Sequence, residues 1–109
     1  RTVDKLLTGA VSMDIYEVKA ACEALGGVAV PAHVEKDSYA LLSVLGFLPE
    51  DLPFAAVELH DASRLGDLVE KGLLPAGLEV LSSSDAHRME DVACSLHALA
   101  ADSVLRRLL

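Results

Sequence analysis

The chain has no tryptophan and few aromatic residues of any kind, two tyrosines and two phenylalanines in 109 residues. Its apolar half, 52% of the sequence, is therefore built mainly from Ala, Val and Leu, a usage that suits helices packed on buried strands. Cysteine is scarce as well. Cys22 and Cys94 each lie within an apolar helical pattern, with no CxxC or zinc-finger neighbour, and read as two reduced core thiols. Basic residues are outnumbered, nine Lys and Arg against seventeen Asp and Glu, for a net charge of −8. That balance argues against a nucleic-acid or anionic-membrane binder working by charge alone, and an anionic substrate would need cations brought by the site. No apolar run is long enough for a membrane span, and no charged, apolar, small-residue leader opens the chain, so the reading is a cytoplasmic protein. HExxH, GxSxG and a glycine-rich phosphate loop are all missing, and neither cysteine is placed as a nucleophile.

A chain of this length supports one small domain with a single core, burying roughly two-thirds of its unfolded surface. The positive mean hydropathy leaves open that some apolar surface is meant for another domain or a partner subunit. Arg1 stands where an initiator Met would, and the first residues read like the middle of something longer.

Helical spacing of Met13, Ile15, Val18, Ala21, Cys22 and Leu25 predicts a helix over 12–25, with Asp14 and Glu17 as a capping-box pair and Gly26-Gly27 as its stop. Val28-Ala29-Val30 is a short β-branched apolar run that ends at Pro31-Ala32-His33. After the polar turn Glu35-Lys36-Asp37, Ser38 is positioned to cap a second helix that ends at Gly46. The run 54–59 predicts a second strand leading to His60-Asp61, and Ser63 to Lys71 a short helix closed by Gly72. Leu78 to Leu81 predicts a third strand leading into Ser82-Ser83-Ser84-Asp85-Ala86-His87, and Met89 to Leu109 a long amphipathic helix with its charges arranged to suit the helix dipole.

Strands alternating with helices imply an α/β fold with parallel strands, and such folds place chemistry at the carboxyl ends of the strands. All three expected strands deliver a histidine there: His33, His60 and His87. Asp85 and His87, two apart on the turn leaving a strand, combine oxygen and imidazole donors suited to zinc, manganese or iron. The plain alternative is that Ser84 or Asp85 caps the last helix and His87 is solvated. His33 follows a rigid Pro31 turn, and His60 with Glu58 forms a second tier of candidates. His97 falls inside the last helix and reads as an ordinary helix residue.

Two of these stretches, Gly26-Gly27-Val28-Ala29-Val30-Pro31-Ala32-His33 and Ser84-Asp85-Ala86-His87, resemble two late motifs of the PHP domain, the polymerase and histidinol phosphatase superfamily. The stretch from Ser38 to Leu59 is similar to bacterial members as well, so the resemblance covers most of residues 8 to 93. It implies a distorted seven-stranded β/α barrel whose cleft binds divalent metals that activate water for phosphoester hydrolysis. On matching positions His33, Asp85 and His87 would be metal ligands, while His60 and Glu58 receive no assignment. The family opens with a His-x-His motif, and none occurs in this sequence. Val92-Ala93 also stands where Ile-Gly is usual. The expectation is therefore a single partial domain over 1–109, the C-terminal part of a PHP-type phosphoesterase with about three parallel βα units and a long last helix. It would be inactive alone, and its partners would be a phosphate ester and either the rest of the domain or a second copy. The alternative is a noncatalytic PHP-derived module that binds a partner or oligomerises.

Overall fold

A computed structural model describes residues 2–5, 9–92 and 99–108. The readings of Cys94 as a core thiol and of His97 as a helix residue lie outside the described residues. In chain order the elements are helix α1 (Ile15–Ala24), helix α2 (Leu41–Leu45), strand β1 (Ala56–Leu59), a 3-10 turn at Ala62–Arg64, helix α3 (Leu65–Glu70) and strand β2 (Glu79–Ser82). Two further 3-10 turns, Met89–Asp91 and Val104–Leu108, follow. The result is a mixed α/β arrangement around a two-stranded parallel sheet, with Val57 opposite Val80 and Leu59 opposite Ser82.

Local chemistry explains why α1 begins and ends where it does. The Asp14 carboxylate accepts from Glu17 N–H at 2.9 Å, and the Glu17 carboxylate accepts from Asp14 N–H at 2.8 Å, so two orphan amides of the first turn are satisfied reciprocally. At the other end Gly26 N–H donates to Glu23 O and Gly27 N–H to Cys22 O. That pairing needs the left-handed backbone of Gly26, φ +79°. Gly27 is needed for a different reason: a Cβ there would stand 2.8 Å from Cys22 Sγ. The second helix is shorter than its sequence pattern. It starts three residues after Ser38, and Ser43 serves its first turn by accepting from Ala40 N–H and donating to Ala40 O.

The expected first strand is not regular. Only two backbone hydrogen bonds join this region to β1: Glu58 N–H donates to Pro31 O at 2.9 Å, and Val34 N–H donates to Glu58 O at 3.1 Å. In a parallel ladder the two partners of one residue sit two positions apart; here they sit three apart, so the segment carries one extra residue. Pro31 itself has no N–H to contribute. His33, at φ +33°, lies inside this bulge.

The core wraps β1. Val57 and Leu59 are fully buried, and Val34, Leu48, Leu52, Phe54, Leu68 and Leu74 close around them. By contrast α1 has no fully buried residue, and Met13, Val18 and Leu25 from its predicted apolar stripe are exposed. The long last helix is not formed over the described part of 89–109. Val92 is extended at φ −68°, ψ 111°, and Ser103 Oγ accepts from Leu105 N–H in a short turn. Serine commonly diverts the backbone this way, and an amphipathic pattern forms a helix only where a surface exists to cover its apolar face.

Candidate metal centre

Two loops form the site, one leaving the bulged segment and one leaving β2. The first is a turn closed by Lys36 N–H donating to His33 O at 3.1 Å, so the side chains of His33 and Lys36 start from one compact unit. The second follows Ser82 and turns at Asp85, whose φ of +49° is left-handed. Among the described residues three non-glycine positions have positive φ, and His33 and Asp85 are two of them. Such backbone costs on the order of 1 kcal/mol for a residue with a Cβ, so it persists only where the surroundings impose it.

The Asp85 carboxylate is the hub. Lys36 Nζ donates to its Oδ2 at 2.6 Å, His33 Nε2 stands 4.0 Å from the same oxygen, and His87 Nε2 stands 3.5 Å from Oδ1. A charge-assisted hydrogen bond from Lys36, aided by the lysine charge and by His33 and His87, holds the Asp85 carboxyl below its ordinary range against a smaller upward push from burial. The His33 and Asp85 side chains are mostly covered, at 18% and 20% exposure, whereas His87 is 83% exposed. The cluster is thus open to solvent on the His87 side.

These distances test whether an ion fits. Two donors bound about 2.1 Å from a tetrahedral ion lie about 3.4 Å apart, which the His87 to Oδ1 distance of 3.5 Å meets. The His33 to Oδ2 distance of 4.0 Å exceeds it by about half an ångström. Among the described residues no three His, Cys, Asp or Glu side chains are already gathered tightly enough to hold an ion. The donor types suit zinc or manganese, but as placed the three side chains do not fit an ion. His33 Nδ1 is buried without a partner, so only Nε2 of that ring can face an ion, and the ring lacks the outer acceptor that usually steadies a ligating imidazole.

The other candidates lie apart. No hydrogen bond or ion pair joins His60 or Glu58 to Asp85 among the described residues. Glu58 accepts from Ser83 Oγ at 2.9 Å, which ties β1 to the loop carrying Asp85. His60 is exposed beside Asp61, whose carboxyl is held low chiefly by hydrogen bonds from Ser63. Glu35 is nine-tenths buried, accepts from Asp61 N–H at 2.6 Å, and leaves Oε2 unpartnered. Lys36 and Glu35 are the residues that pattern reading passed over as a polar turn, although three charges directly behind a strand-end histidine were the available signal.

No family model, no curated protein and no solved structure matches this chain.

Proposed function

We propose that the chain carries part of a metal-dependent phosphoesterase site of the PHP type, with His33, Asp85 and His87 as ligands. One observation carries the reading: residues 52 positions apart in sequence, His33 and Asp85, meet beyond the ends of two segments that flank β1, with His87 on the other oxygen of the same carboxylate. Ligand convergence at strand carboxyl ends is where α/β folds place chemistry. The left-handed backbone at both His33 and Asp85 supports it, because strained positions concentrate at functional sites.

In this reading Asp85 contributes the charged oxygen donor and the two imidazoles the neutral nitrogen donors. His87, 83% exposed, would hold such an ion from the solvent side. Held by these residues, a divalent ion would supply Lewis acidity and lower the pKa of a bound water, the chemistry that phosphoester hydrolysis needs. The net charge of −8 makes such a cation necessary if a phosphate is to approach. We place this site in a partial barrel whose remaining ligands, the His-x-His pair among them, come from outside these 109 residues, so that the chain alone binds metal weakly and does not turn over substrate.

Elemental analysis of the purified chain, equilibrated with zinc or manganese, tests the reading. Bound metal that disappears in the His33→Ala, Asp85→Ala double variant is the expected result. Metal retained in the double variant, or no uptake by the wild type even from a large excess of zinc, overturns it.

A further inference from the structure

We propose that the recess between the loops entering β1 and β2 binds a small molecule with an apolar body and an ammonium group, and that Glu50 meets the ammonium. The recess lies at the starts of the strands, whereas the Asp85 cluster stands beyond their ends, so the two sites are independent. Its volume is about 710 Å³, within the range of pockets that hold small ligands. Both phenylalanines of the chain, Phe47 and Phe54, line it, as do three of its four prolines, Pro49, Pro53 and Pro75. The scarce aromatic and rigid residues of this sequence are thus gathered in one place.

Leu48, Leu52, Phe54 and Leu74 are buried members of the core, while Phe47, Pro53 and Pro75 are exposed, so the recess has an apolar floor and an accessible mouth. Its walls are tied together: Leu48 N–H donates to Leu73 O at 3.2 Å, and Leu52 N–H donates to Pro49 O at 3.1 Å. Proline fixes its own φ, so these walls are set before a ligand arrives and little ordering is lost on binding. Charge then selects the head group. No Lys, Arg or His is among the lining residues, and Glu50 is the charged one. Glu50 is exposed and has no hydrogen bond or ion pair among the described residues, whereas the adjacent Asp51 already accepts from the Tyr16 hydroxyl at 3.0 Å. A net charge of −8 draws cations and repels carboxylates and phosphates, and phenyl faces favour an ammonium as well. Two short loops supply the lining, less surface than the roughly 20 to 30 residues a side of a stable protein interface, which favours a small molecule as the occupant.

Titration calorimetry on the whole chain at low salt tests this with phenylbutylammonium, phenylbutanol and phenylbutyrate, which share one apolar body and differ in the head group. The ammonium is expected to bind about threefold tighter than the alcohol and about tenfold tighter than the carboxylate. Glu50→Gln should remove most of that preference and leave alcohol binding unchanged. Glu70→Gln, the same charge change at an exposed residue outside the recess, should leave the preference intact. Phe47→Ala should weaken all three ligands, with circular dichroism confirming that each variant is folded. No binding of the ammonium at millimolar concentration, a carboxylate bound as tightly as the ammonium, or a preference that survives Glu50→Gln overturns the proposal. A dimer in sedimentation that Phe47→Ala dissociates would assign the recess to a second copy and overturn it too. Should Phe47→Ala fail to fold, amide NMR of the wild type decides: the ammonium must move signals within 47–54 and 72–74, and shifts confined to other segments overturn the proposal.

Discussion

Replacing Asp85 by glycine and by alanine separates backbone strain from carboxylate chemistry at the centre of the site. Both substitutions delete the partner of Lys36, His33 and His87, so their effects on charge are the same. They differ in the backbone. Asp85 sits at φ +49°, where a Cβ costs about 1 to 2 kcal/mol, and glycine escapes that cost while losing about 0.5 to 1 kcal/mol through its freer unfolded chain. The glycine variant should therefore be the more stable of the two by roughly 0.5 to 1 kcal/mol. For a domain of about 100 residues that corresponds to a melting temperature higher by roughly 3 to 6 °C. Scanning calorimetry at pH 7 without metal reads the difference directly. Equal melting temperatures, or an alanine variant that melts higher, would refute the left-handed turn at Asp85. With it would go the argument that the loop is held in a strained form to present its carboxylate.

Leu59 is fully buried at the end of β1 among Val34, Val57 and Leu68, so Leu59→Ala should cost about 3 kcal/mol in urea unfolding; a loss under about 1 kcal/mol would mean that β1 is not the centre of the core. The Asp85 carboxyl is held below its ordinary value of 3.8, first by the hydrogen bond from Lys36. Lowering a folded-state pKa adds stability that is complete above the unfolded value and is lost as pH falls through the folded one. The urea midpoint should therefore hold steady from neutral pH to about pH 5 and fall below that, less steeply in Lys36→Met than in the wild type; identical acid limbs would show that the ion pair does not form in solution.

Much of the fold was legible because it rests on short-range chemistry. The Asp14 and Glu17 box, the Gly26-Gly27 stop, the Gly46 and Gly72 helix ends and the cores of both strands follow from contacts within about five residues, which spacing encodes directly. The approach of His33 and His87 to Asp85 was indicated only indirectly, through the rule that parallel strands deliver their carboxyl ends to one edge. Where local patterns misled, a longer-range term intervened. The run 28–30 has strand composition but meets β1 through two hydrogen bonds and a bulge. The amphipathic pattern beyond Met89 yields 3-10 turns in its described residues.

The sequence by itself determined which donor-bearing side chains are present and on which segments they lie, since donor type and local periodicity are properties of neighbouring residues. Tertiary structure alone decided what those donors meet. Nothing in the stretch around residue 36 announces that its lysine will reach a carboxylate 49 positions away, nor that one extra residue in the bulge will turn His33 into the left-handed region. Both outcomes depend on the register in which two distant segments pair, and register is a property of the packed chain.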